Sequence, residues 1–281
     1  MPDILSHLLP PIAAALLYAG LGYHFWHTRW NDAGKPPEPL PMRPWERRAI
    51  AAALLLQGAG LYGELFSGGG LRFSFSLAAS LMLWLAVLIH WLESFASRMD
   101  GMQPMVLPLA AISAALPVAF PQTHEIVYAQ ALGFRMHFLA AMLSYSLVTL
   151  SALHAVFMGI IGHKLHRRDL RAPQASLPSI LSMESLLFRM IGVAFLLLTL
   201  TLASGLAFSF SERAAGKALL FDHKIFFAFS SWLIYAALLF GRYRYGWRGR
   251  IALRWTLAGF LLLILAYIGN RFVLEVLLDQ A

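Results

Sequence analysis

Ten histidines is a large number for a chain in which 59% of the residues are hydrophobic and only 13% are charged. Imidazole is the side chain that ligates metals and moves protons near neutral pH, so their positions come first. His137 opens one long apolar run, MHFLAAMLSYSLVTLSALHAVF, and His223 opens another, FDHKIFFAFSSWLIYAALLF. Read as helices that start on the same side of a bilayer, the two runs bring both imidazoles to one depth. Two neutral imidazoles at one depth on two helices are what bis-histidine ligation of a haem iron requires. A simpler reading stands beside each. Asp222 can cap its helix and leave His223 among the headgroups, and His137 can belong to an ordinary helix contact.

The residues after His137 sharpen that choice without closing it. At about 100° per residue, His137, Ala140, Ala141, Ser144, Val148 and Ser151 share one helix face. A small, mildly polar face below an imidazole suits close helix packing, and it equally suits the wall of a flat cofactor pocket. His154 lies seventeen positions further along the same run, roughly 25 Å deeper at 1.5 Å per residue. It cannot share an iron with His137; it reads as a satisfied bundle histidine or as part of a separate site with His90. His90 itself can pair with Glu93 or with a neighbouring helix. His24, His27, His163 and His166 stand at run ends beside basic loops, where solvation accounts for them, and His7 is at the mouth of the first run. Gln57, Gly60, Gly63 and Glu64 form a second small, polar face. Glu64 is near enough to its helix end to be solvated.

What positions these residues is a membrane. The chain has 281 residues, with 13% charged against the roughly 25% of a soluble domain. Eight apolar runs near the ~20 residues a bilayer needs fall at about 4–25, 48–66, 73–93, 104–120, 134–161, 187–209, 223–241 and 251–273. The predicted fold is an all-α polytopic membrane bundle of eight transmembrane helices. Counted along the sequence, sixteen of the 22 Lys and Arg fall in the odd-numbered connections and six on the other side. Positive charge marks the cytoplasmic face, which puts both termini on the outer, periplasmic side. The N-terminal run lacks a basic leader segment and reads as a retained first span. The formal charge of +8 is accounted for by topology and anionic lipid headgroups, with no nucleic acid involved. With no cysteine, disulfides, thiolate metal sites and thiol redox chemistry are excluded.

Extramembrane domains have no room. Residues 26–47, with PPEPLPMRP, read as an extended cytoplasmic connector, and the LPSILSMESLLFRM part of 162–186 reads as an interfacial segment before the sixth span. There is no nucleotide-binding loop, HExxH, GxSxG or acidic metal cluster, and a lone Gly68-Gly69-Gly70 is a tight turn.

HFLAAMLSY from His137, LPSILSMESLLFRMIGVAFLLLTLTLASGLAFS, FDHKIFFAFSSWLIYAALLFGRYRYGWRGR and the final FLLLILAYIGNRF occur in order and at sensible spacing. Together these segments, over residues 73–273, resemble the cytochrome c assembly protein family in its CcsA/HemX-like branch, nearest to the YpjD-like bacterial inner-membrane proteins. The resemblance implies haem handling at the outer face of the inner membrane, with His137 on the position of the family's first outer haem histidine. Arg135 and Arg213, also on the outer side, have the guanidinium geometry that suits haem propionates. The departures are specific. Residues 205–222 contain no tryptophan where the family's tryptophan-rich loop would be, and the chain ends NRFVLEVLLDQA with no second outer histidine. That leaves His223 as a replacement ligand and argues against synthetase activity. The sequence therefore points to a haem-binding membrane protein of a single domain, over residues 1–281. Its partners would be haem, the lipid bilayer, and other proteins of cytochrome c maturation or haem synthesis. Alternatives are a cofactor-free regulator or scaffold and a small-molecule transporter.

Overall fold

The computed structural model describes residues 2–30, 42–66, 71–96, 101–121, 124–125, 131–166, 180–214 and 223–266, with the side chains of 2–7, 124–125, 164–166, 208–214 and 223 left aside. Eight α-helices carry these residues: α1 (Pro2–Phe25), α2 (Pro44–Leu65), α3 (Phe75–Glu93), α4 (Gln103–Ala119), α5 (Leu132–His166), α6 (Ile180–Ala214), α7 (His223–Tyr245) and α8 (Gly249–Ile264). One π-helical turn, Trp26–Trp30, continues α1. Two short strands, β1 (Arg72–Phe73) and β2 (His124–Glu125), pair antiparallel and tie the segment before α5 to the start of α3.

The helices pack as two rings. In the first, α1 touches α2, α2 touches α3, α3 touches α4, and α4 closes on α1. In the second, α5 to α8 follow the same course, with α8 closing on α5. The α3–α5 contact joins the rings, and one buried apolar cluster runs through both. Prolines inside α1 and α4 are admitted by glycines opposite them. A Cβ on Gly22 would stand 3.1 Å from the Pro108 ring, and one on Gly60 would stand 3.2 Å from Pro11.

Five of the helical segments are long and apolar enough to cross a membrane: Leu8–Trp30, Phe75–Glu93, Leu132–His163, Ile180–Ala207 and Lys224–Tyr245. The other three of the expected eight fall short for identifiable reasons. Helix α2 opens with Glu46, Arg47 and Arg48 and carries Gln57 and Glu64, α4 has 17 residues, and only 16 residues of α8 are described.

The stretch expected to lie along the interface before the sixth span is instead the first part of α6, which runs unbroken from Ile180. Met183, Leu187, Ile191, Ala194 and Leu198 are all buried. Recurring at three or four residues, they form one stripe that continues across the expected break. The proline-rich connector lies outside the described residues except at its ends. There Glu46, buried at the start of α2, accepts from the Arg43 amide at 2.6 Å, His24 Nε2 at 3.0 Å and Arg29 Nη2 at 3.4 Å. His24, expected to be merely solvated, is thus a fastening between α1 and α2.

Candidate functional site

Helices α5 and α6 form an antiparallel seam crossed by three polar rungs. His137 Nδ1 meets Ser204 Oγ at 2.8 Å. Ser144 Oγ donates to the Ala194 carbonyl at 3.2 Å. His154 Nε2 meets the Met183 carbonyl at 2.9 Å. The hydroxyls of Ser146, Thr149 and Ser151 turn back on their own helix, to Met142 O, Tyr145 O and Leu147 O, the usual way a membrane helix satisfies them.

The seam divides the face that the sequence left open between packing and a cofactor wall. From Ser144 inward, through Val148 and Ser151, every position is buried, so this part is helix contact. From His137 to Ala141 the face is half-buried. The Cε1 edge of His137 lies against Gly205, where an added Cβ would sit 3.5 Å away.

The His137 ring is oriented by its partner. Ser204 has one hydroxyl proton, and it is directed to the backbone carbonyls of Leu200 at 2.7 Å and Thr201 at 3.0 Å. His137 Nδ1 pairs with that hydroxyl, and the ring also reaches the Thr201 backbone; donation from Nδ1 to Ser204 would put the ring's lone pair on Nε2. This is the arrangement a ligating histidine needs: one nitrogen oriented by a hydrogen bond, the other basic.

The other expected site residues are distributed as follows. Arg135 is exposed at the start of α5 and, two residues before His137, is about 200° around the helix from it. Arg213 lies in the last turn of α6 and His223 is the first residue of α7, and the side chains of both lie outside the described residues. His90 does not pair with Glu93, whose carboxylate faces Arg189 at 3.8 Å. It is buried on α3 with neither ring nitrogen hydrogen-bonded. His163 is exposed and His27 is exposed with Nδ1 at 3.1 Å from the Tyr23 carbonyl.

The polar face of α2 lines a narrow cavity of about 80 Å³ that also involves Pro11, Ser80 and Pro117. Within it Gln57 donates to Ser80 O and Oγ at 3.3 and 3.1 Å, and Glu64 stands two helical turns away on the same wall. Among the described residues no group of three or more His, Cys, Asp or Glu converges on one point. Sequence reasoning missed Ser204. A serine in LTLASGLAFS offers no signal of its own, because its role depends on which residue of α5 stands across the seam.

Comparison with known proteins points to one family. The sequence pattern of the family described as Cytochrome C assembly protein matches residues 51–278. The chain is 29% identical over 241 residues to the Inner membrane protein YpjD of Escherichia coli strain K12, covering 83% of this chain and 89% of that protein. It is 28% identical over 206 residues to an uncharacterized 28.8 kDa protein of Azospirillum brasilense, covering 72% and 73% respectively. A shorter stretch of 91 residues is 40% identical to the Cytochrome c biogenesis protein CcsA of Prochlorococcus marinus strain AS9601, covering 32% of this chain and 29% of that protein. No solved structure matches.

Proposed function

The chain belongs to the cytochrome c assembly protein family, and from that premise we propose that it binds haem at the outer face of a bacterial inner membrane, with His137 as the residue that would hold its iron. The observation that carries this reading is the hydrogen bond between His137 Nδ1 and Ser204 Oγ at 2.8 Å, which orients the half-buried imidazole at this end of the α5–α6 seam. The surroundings fit the group. A half-buried imidazole above a small-residue face would suit a flat macrocycle. Bound haem would supply the iron whose coordination the site controls. The protein's own part is to aim the imidazole and, through Ser204, to hold the ring in one orientation.

His223, at the start of α7, is the proposed second ligand, and Arg135 and Arg213 the proposed propionate partners. The reading places residues 1–281 in one membrane domain of eight spans, α1 to α8, with both termini outside. The excess of Lys and Arg in the odd-numbered connections supports that orientation. It also places the protein among the partners of cytochrome c maturation, in keeping with the CcsA relative's name.

The test is the absorbance spectrum of the purified full-length protein in detergent. A Soret band that disappears in His137→Ala and persists in His163→Ala is the expected result. Protein that stays colourless after haem addition would overturn the reading in favour of a cofactor-free regulator or scaffold. Full haem content in His137→Ala would overturn the assignment of the ligand.

A further inference from the structure

A second set of polar side chains lies in the core, at the half of the bundle remote from His137. His154 on α5 and Gln103 on α4 are 0% exposed, Met102 is 1% exposed and His90 on α3 is 3% exposed. Burying polar groups without partners is costly, yet both ring nitrogens of His90 and both amide heteroatoms of Gln103 are unpartnered. Their burial calls for a ligand that the protein atoms do not provide.

The protonation of His154 says what kind. Its Nε2 is 2.9 Å from the Met183 carbonyl oxygen, which can only accept, so the single proton of the neutral ring is on Nε2. Nδ1 then presents a lone pair, and it does so to the thioether sulfur of Met102 at 3.2 Å. That is inside the roughly 3.5–4.0 Å at which non-bonded heavy atoms rest, and no proton stands between the two electron-pair donors. An electron-pair acceptor between them would turn this opposition into two bonds. With bonds of about 2.1 Å to nitrogen and about 2.3 Å to sulfur, a separation of 3.2 Å makes the pair adjacent ligands with an angle near ~95°. Haem is excluded at this pair, since axial ligands stand on opposite sides of the macrocycle.

His90, buried on α3 where that helix packs against α4 and α5, offers a third nitrogen. All three donors are neutral, and no carboxylate joins them among the described residues. A neutral donor set in an apolar interior leaves the ion's charge uncompensated, which favours a monovalent ion over a divalent one. Thioether and imidazole donors together select soft copper. We propose that Met102, His154 and His90 form a buried Cu(I) site, separate from the His137 site. Gln103, next to Met102 in the sequence, is a further buried and unpartnered polar side chain.

The experiment titrates the purified, copper-stripped full-length protein with Cu(I) under ascorbate and without oxygen, against a chromophoric Cu(I) chelator. X-ray absorption at the copper edge then identifies the ligands. Stoichiometric uptake with a sulfur scatterer is expected. Met102→Leu keeps the packing and should weaken binding about tenfold or more and erase the sulfur signal, while His137→Ala should leave both unchanged. No uptake against the chelator would overturn the proposal. So would wild-type affinity in Met102→Leu, or copper lost in His137→Ala and retained in Met102→Leu. Because Met102→Leu conserves volume, the test survives if a His154 variant fails to fold.

Discussion

Replacing Ser204 by alanine tests the proposed haem site at its most exposed inference, the tautomer of His137. The substitution removes one oxygen atom and leaves the α5–α6 seam otherwise intact. The lost contact is a neutral hydrogen bond of 2.8 Å, with a net value of about 1 kcal/mol, or about fivefold in the balance between the two ring tautomers. Orientation is lost as well, and removal of an outer-shell partner typically weakens a metal site by about 10–100-fold. The expected result is therefore haem affinity reduced by about 5–100-fold in Ser204→Ala, with stability changed by no more than about 1 kcal/mol. Ser204→Thr keeps the hydroxyl and should bind as wild type does. The assay is a haem titration of apoprotein in detergent, read at the Soret band, beside His137→Ala. Wild-type affinity in Ser204→Ala, with binding abolished in His137→Ala, would refute the tautomer argument while leaving the ligand in place.

Two further predictions concern the second ring. A Cβ on Gly259 would stand 2.7 Å from Tyr235 Cζ, and the buried Tyr235 hydroxyl donates to Thr256 O at 3.1 Å. Gly259→Ala should therefore cost about 2–5 kcal/mol, combining overpacking with a displaced hydroxyl; a thermal midpoint in detergent equal to wild type would refute it. Glu184, buried on α6, accepts from the Gly249 amide at 2.7 Å and so caps α8 from a neighbouring helix. Glu184→Ala should lower stability by about 1.5–3 kcal/mol, seen as faster exchange of the first amides of α8, and unchanged exchange there would count against it.

The helices were legible in the sequence because apolar runs and their basic ends report directly on a bilayer. The α6 start was misread because a charged residue amid apolar ones, as in SMESLLFRM, resembles an interfacial segment when read alone. Glu184 in fact turns inward to cap α8, which only the tertiary arrangement reveals. Glu46 was hidden for the same reason, since a carboxylate three residues from Arg43 looks like a solvated charge until His24 and Arg29 are found beside it. His137 was picked out by its place at a run's start. Its partner was not, because a single sequence carries no record of which residue faces which across an antiparallel seam.

The three rungs between α5 and α6 also act as a vernier. Sliding one helix along the other by a single residue would unmake the hydrogen bonds of His137, Ser144 and His154 together. The pair therefore moves as one rod about 50 Å long, taking 35 residues in each helix at 1.5 Å per residue. Beside that rod, α7 meets α6 through the Trp232–Thr199 hydrogen bond of 2.8 Å and the Phe195–Trp232 stack, and α8 through Ser231 to Gly259 O at 2.8 Å and Tyr235 to Thr256 O at 3.1 Å.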